Sequence, residues 1–190
     1  MNLIEWLAAG LGLMGVLLGL AQRTGVWILW IGSSALYLVL YAQVALWGQV
    51  GLMVVFIVVS LWGFFRWRAQ ARALAAGEET QPRWYGVCGL RRVVSIGLAA
   101  WLLLGVALGR TDNPHAWLDS WVTTTSLLAM WLMAQRRLDC WVFWAVANGS
   151  AVALFLQQGL WATTLLYALQ LLLSFVGLAR WQRSVQPMSI

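Results

Sequence analysis

Trp27-Ile28-Leu29-Trp30 opens a stretch that closes on Phe65-Arg66-Trp67-Arg68, and Trp141-Val142-Phe143-Trp144 opens another that closes on Ala179-Arg180-Trp181-Gln182. Laid over one another at an offset of 114 without gaps, they match at 11 of 42 positions. The matches are Trp27/Trp141, Trp30/Trp144, Leu40/Leu154, Gln43/Gln157, Leu46/Leu160, Trp47/Trp161, Leu52/Leu166, Ser60/Ser174, Gly63/Gly177, Arg66/Arg180 and Trp67/Trp181. Leucine matches carry little weight in an apolar chain. Tryptophans carry more: five in one stretch and four in the other would coincide by chance about 0.5 times, and four coincide. Before the stretches, Leu20-Ala21-Gln22-Arg23 matches Met133-Ala134-Gln135-Arg136 once a one-residue slip is allowed. A unit of three helices is thus read twice, with one helix between the copies.

The composition says what surrounds those helices. Of 190 residues, 62% are hydrophobic and 9% charged, and the mean hydropathy is +0.78. An ordinary soluble domain is about 45–50% apolar and about 25% charged, so this chain lacks the polar side chains to cover a water-facing surface. It reads as an all-α integral membrane protein. At about 20 residues per span, there is room for at most about eight or nine helices and no sizeable soluble domain. Continuous apolar runs, without polar/apolar alternation, argue against a β-barrel. Seven spans are expected: Leu3–Ala21, Val26–Leu46, Gly48–Phe65, Val93–Gly109, Trp117–Ala134, Cys140–Leu156 and Leu160–Ala179. The corresponding organisation is a first repeat over 1–67, a linker and connecting helix over 68–110, a second repeat over 111–182 and a tail over 183–190. The first apolar run carries Glu5 and lacks a basic leader, so no cleavable signal is expected.

Charge sets the orientation. Alternating the spans places Arg23, Arg66, Arg68, Arg72, Arg83, Arg91, Arg92, Arg136, Arg137, Arg180 and Arg183 on one side and Arg110 alone on the other. Basic residues gather in cytoplasmic loops, so the N-terminus is expected outside and the C-terminus in the cytoplasm. The net charge of +6 is then topogenic and implies no nucleic acid. Cys88 and Cys140 fall near the reducing side, and no disulfide is expected.

Several chemistries are excluded. With twelve basic residues all Arg and no Lys, a retinal Schiff base has no amine. His115 is the lone histidine, and no phosphate-binding glycine loop occurs. No nucleophile–base pair or metal cluster falls in a span, so an enzyme is not expected and no cofactor is implied. Glu5, Glu78, Glu79, Asp112, Asp119 and Asp139 all lie off the membrane centre of these spans. A proton- or sodium-coupled carrier usually keeps a carboxylate there. Facilitated diffusion of a neutral or weakly charged solute fits best.

Parallel repeats are a transporter plan, with the substrate near the midplane between them; a duplicated structural bundle is the alternative. Trp141, Trp144 and Asn148 share one helical face, two indoles above an amide. An indole can stack on a flat heteroaromatic ring, and an amide can orient it. The equivalent face in the first copy holds Trp30 and Ser34 after Trp27, continued by Tyr37 and Tyr41; Tyr167, Gln170 and Ser174 share a face of the last helix. Trp27 and Trp141 begin their helices, where an interfacial belt accounts for tryptophan equally well. Asn148, two turns deeper, has no such account. Ser60, Ser174 and the run Thr123–Ser126 can bond their own helix backbone instead of lining a path. Gly12, Gly15 and Gly19 read as a close-packing face, and Trp47 and Trp161 as anchors at tight turns.

At these residues the chain resembles the PnuC-type family of bacterial vitamin-precursor transporters. The resemblance covers nearly the whole chain: Trp62-Gly63-Phe64-Phe65-Arg66-Trp67, Leu118-Asp119-Ser120, Ser126-Leu127-Leu128-Ala129-Met130, Trp141-x-x-Trp144-x-x-x-Asn148, Gly159, Tyr167, Gly177 and Arg180-Trp181. It implies a 3+1+3 bundle of seven helices on the plan of the sugar-transporting SWEET proteins, often a trimer, in the bacterial inner membrane. It implies import of nicotinamide riboside without an energy source and trapping by a cytoplasmic kinase; relatives carry thiamine or riboflavin. By motif match, Trp141, Trp144, Asn148 and Tyr167 would contact the ligand. Ser33, Met53 and Ser60 stand where many members carry Asn, Gln and Asn, so the first-half pocket is less polar here. The alternative from another class is a non-transporting seven-helix receptor or assembly protein.

Overall fold

The computed structural model describes residues 3–43, 47–76, 81–111, 113–157 and 161–185, with the backbone alone at 47–49 and 162. Glu78, Glu79, Asp112, the Gln158-Gly159 turn and the Trp47 side chain lie outside the described residues. The chain divides into two compact units, 1–81 and 82–190. The first holds α1 (Leu3–Leu20), α2 (Gly25–Gln43) and α3 (Trp47–Ala75). The second holds α4 (Val87–Leu108), α5 (Ala116–Ala134), α6 (Asp139–Gln157) and α7 (Trp161–Arg183). In each unit the helices pack on their sequence neighbours: α2 lies against α1 and α3, α5 against α4 and α6, and α7 against α6.

Among the described residues, six helices are long and apolar enough to cross a membrane; α5 is the seventh, long enough but less apolar. Asp119 and the run Thr123-Thr124-Thr125-Ser126 lower its hydropathy, and burial accounts for its tolerance of them. Ser120, Thr124 and Thr125 are buried with Ala129, Met130 and Leu132. The Thr125 hydroxyl donates to the carbonyls of Trp121 (2.7 Å) and Val122 (3.1 Å), so it needs no partner outside its helix.

The stretch expected as a linker, Arg66–Arg92, is shortened at both ends. α3 continues to Ala75 and α4 begins at Val87. Arg66-Trp67-Arg68-Ala69-Gln70-Ala71-Arg72-Ala73-Leu74-Ala75 is rich in strong helix formers, so the helix outruns its apolar span. The Arg66 guanidinium lies 5.3 Å from the Trp62 ring and that of Arg68 5.5 Å from Phe64, one turn back in each case.

The offset of 114 reappears in the geometry. α2 and α6 start at Gly25 and Asp139, and α3 and α7 at Trp47 and Trp161. The turns ahead of them are the same. Gln22 (φ 53°) closes α1: its N–H bonds to Gly19 O, and the N–H of Arg23 to Leu18 O. Arg136 (φ 53°) closes α5: its N–H bonds to Met133 O, and that of Arg137 to Leu132 O. Both are left-handed helix caps with paired 5→2 and 6→1 bonds. The one-residue slip that the sequence favours at this turn is therefore corrected. Gln22 pairs with Arg136, not with Gln135, because cap geometry fixes the register and side-chain identity does not.

Candidate functional site

The indole of Trp27 is fully buried, packed edge-on to Trp67 at 5.5 Å and 89° and lying over Gly63, where a Cβ would come within 2.7 Å of the ring. In the second unit Trp141 packs edge-on to Trp181 at 5.5 Å and 85°, over Gly177, where a Cβ would collide with it. This lock explains three of the repeated identities at once: the ring needs the glycine, and the second tryptophan closes the seat. Trp141 is 2% exposed, so its ring forms the back wall of the α6–α7 pair. The indole N–H groups of Trp27 and Trp141 are both buried without a hydrogen-bond partner among the described residues.

Two turns further along α6, Asn148 is buried and its Nδ2 donates to Ser174 Oγ at 3.2 Å. Ser174 in turn donates its proton to Gln170 O at 2.8 Å. The serine proton is thus committed to α7 and its lone pair receives the amide N–H. This decides which way the amide faces and leaves Asn148 Oδ1 as an acceptor. Tyr167 stacks on Phe155 at 5.1 Å and 20° between planes. The structure therefore brings Trp141, Asn148, Tyr167 and Gln170 onto the α6–α7 pair, with Trp144 half-buried on α6. Ser174, which could have served its own helix alone, also orients Asn148. Phe155 gave no signal in the sequence, since only the α6–α7 packing reveals its tie to Tyr167.

The first unit places its candidates differently. Trp30 donates its Nε1 proton to Gly12 O at 3.2 Å, and its ring occupies the space over Gly15, where a Cβ would collide with it. Ser33 donates to Ala8 O at 2.8 Å. The glycine face of α1 thus receives α2. Ser34 is buried, while Tyr37 stacks on Tyr41 at 5.9 Å and 16°. Ser60, the counterpart of Ser174, is fully buried with no partner for its hydroxyl among the described residues. At the Gly15 counterpart the second unit has Ala129. A methyl at Gly15 would collide with the Trp30 ring, so the first unit's seat requires the glycine that the second unit lacks.

A clasp at the α5–α6 turn escaped sequence reading. Arg83 N–H bonds to Arg136 O (3.3 Å) and Leu138 N–H to Arg83 O (3.1 Å). Tyr85 N–H donates to the buried Asp139 carboxylate at 2.7 Å. Arg137 donates to Trp84 O at 3.3 Å and lies 4.7 Å from the Tyr85 ring. Burial lowers the Arg136 pKa from its ordinary value by desolvating the cation. These contacts anchor the start of α4 to the entry of α6. Both thiols are free, Cys88 exposed and Cys140 buried.

Comparison with known proteins agrees with this architecture. The family model described as nicotinamide mononucleotide transporter matches residues 2–183. The nicotinamide riboside transporter PnuC of Escherichia coli (strain K12) is 25% identical over 214 residues, covering 96% of this chain and 87% of that protein. The nicotinamide riboside transporter PnuC of Haemophilus influenzae is 27% identical over 124 residues, 65% of this chain and 54% of that protein. The crystal structure of the vitamin B3 transporter PnuC has the same fold, with a TM-score of 0.73 at 21% identity over 96% of this chain and 81% of that one. With seven helices, six of them apolar enough to span a bilayer, and a family match over almost its full length, the chain is a multi-pass membrane transporter belonging to the nicotinamide mononucleotide transporter family.

Proposed function

We propose that the chain imports nicotinamide riboside across the bacterial inner membrane by facilitated diffusion, with Trp144, Asn148, Tyr167 and Gln170 holding the ligand and Trp141 backing them. The observation that carries this reading is the uncharged α6–α7 face, in which Ser174 fixes the Asn148 amide. The nicotinamide ring of the riboside is a flat cation, which suits an indole face, and its carboxamide complements an amide side chain. The mononucleotide adds a phosphate of about −1.5 to −2 charges. The side chains on this face offer no cation to receive it, and an unpaired buried charge is costly. The arginines lie in turns, near helix ends or, as Arg66 and Arg68, on the part of α3 beyond its apolar span.

The two three-helix units are read as parallel repeats in a 3+1+3 plan that alternates access, with α4 connecting them. The N-terminus is outside, the C-terminus is cytoplasmic, the assembly is a trimer, and a cytoplasmic kinase traps the product. The deciding experiment is thermal unfolding of the purified protein with nicotinamide riboside, its mononucleotide, thiamine and riboflavin. A ligand that binds only the folded state raises the midpoint. The riboside is expected to give the largest shift; a larger one with any competitor overturns the assignment. Uptake into sealed vesicles should equilibrate without a proton or sodium gradient. Protonophore-sensitive accumulation of unmodified riboside would refute facilitated diffusion.

A further inference from the structure

α5 carries α4 on one flank and α6 on the other, and among the described residues α4 and α6 do not pack on one another. The gap between them is a groove of about 180 Å³. Val94 and Leu98 of α4 form one wall, Val142 and Val146 of α6 the other, and Thr125 of α5 lies on the floor. Each of the four wall residues is more than two-fifths exposed (41–43%). Thr124 and Leu128 lie on the floor with Thr125, whose hydroxyl is turned into its own helix, and the lining presents only apolar surface.

Trp121 also lines the groove; it meets Trp101 edge-on at 5.5 Å and donates its Nε1 proton to Ser150 Oγ at 3.1 Å. From Val94, α4 leads back to Arg91 and Arg92, both exposed. Arg91 lies one turn from Val94, towards the helix start. The lining spans one turn of each wall, Val94–Leu98 and Val142–Val146, a rise of about 6 Å, with Arg91 next along α4 on the same face.

We propose that this groove is a binding site for an anionic phospholipid of the leaflet on the arginine-rich side, with one acyl chain between α4 and α6 and the phosphate at Arg91. Walls without polar side chains give water nothing to bond, and the methylenes of an acyl-chain segment match their chemistry. The Arg91 guanidinium, on the face of Val94 and Leu98, favours an anionic headgroup over a zwitterionic one by charge. The site rests on the membrane setting of the chain and is independent of the transported solute.

The test uses the full chain, reconstituted in vesicles of phosphatidylglycerol and phosphatidylethanolamine, extracted gently and weighed intact by mass spectrometry. The wild-type chain should retain one phospholipid, with phosphatidylglycerol preferred about fivefold, the effect of one juxtamembrane cation. Arg91→Gln should abolish that preference. Val146→Trp, which fills the groove from an exposed position, should lose the retained lipid while its thermal unfolding is unchanged. Val94→Phe, from the opposite wall, should do the same and serves if Val146→Trp does not fold. Three results would overturn the site: no retained lipid, retention that survives both fillings, or a change of oligomeric state on filling in place of lipid loss. The last would make the groove an interface between copies.

Discussion

The first unit and the α5–α7 part of the second share a skeleton and differ in their polar fittings. Both use the same left-handed cap before the second helix and the same tryptophan–glycine–tryptophan lock. In the first, Ser34 and Ser60 stand where the second has Asn148 and Ser174, and Phe56 stands in place of Gln170. Two serines are shorter than an asparagine and a serine, and among the described residues the Ser60 hydroxyl is left without a partner, whereas Ser174 receives the Asn148 amide. Gly25 stands in place of Asp139, so the first unit has no carboxylate for a clasp at that turn. The repeated features are those that close packing demands. Among the divergent ones, Asn148, Gln170 and Asp139 give the second unit hydrogen-bonding groups where the first has Ser34, Phe56 and Gly25.

Ligand binding tests the comparison most severely. Trp144→Ala and Asn148→Ala should each weaken riboside binding ten- to hundredfold, from a stacking loss of about 1–3 kcal/mol or a lost buried hydrogen bond of about 1–3 kcal/mol. Trp30→Ala, which removes a ring committed to α1, should act mainly on stability. Calorimetric titration beside thermal unfolding separates the two. Equal loss of binding in Trp30→Ala and Trp144→Ala would erase the distinction between the units.

The shared lock should respond alike on both sides. Gly63→Ala and Gly177→Ala each force a methyl into an indole, and overpacking of this kind costs about 1–3 kcal/mol. Both variants should unfold at lower temperature in detergent; a drop in one alone would show that the seats are not equivalent.

The serine pair predicts opposite signs. Ser174→Ala strands the Asn148 amide and should destabilise by about 1 kcal/mol or more, whereas Ser60→Ala removes an unpartnered buried hydroxyl and should be neutral or stabilising. Melting midpoints that fall equally would mean that Ser60 holds a partner in the membrane. The smallest effect is at the caps. Gln22→Gly and Arg136→Gly relieve a left-handed conformation that costs a residue with a Cβ about 1 kcal/mol. Both should gain stability by less than that amount, because each side chain is half-buried and loses contacts. A loss at Gln22 would show that its side chain, not its backbone, matters to the turn.

Composition and the tryptophan repeat determined the membrane class, the number of helices and the offset of 114, because apolar length and bulky identities are local properties that survive without coordinates. The same is true of the Trp141, Trp144 and Asn148 face, which follows from helical periodicity. Helix ends were less legible: α3 runs ten residues past its apolar span through Arg66–Ala75, since helix propensity and hydropathy part company in an Arg/Ala-rich stretch. Only the tertiary structure decided that Trp141 lies behind Gly177, that Ser174 orients Asn148, that Phe155 stacks on Tyr167 and that Asp139 holds Tyr85. Each of these joins groups on different helices or across a turn, and their meeting depends on how the helices rotate against one another. Nothing in a linear pattern of side chains specifies that rotation; the close packing of indole on glycine does.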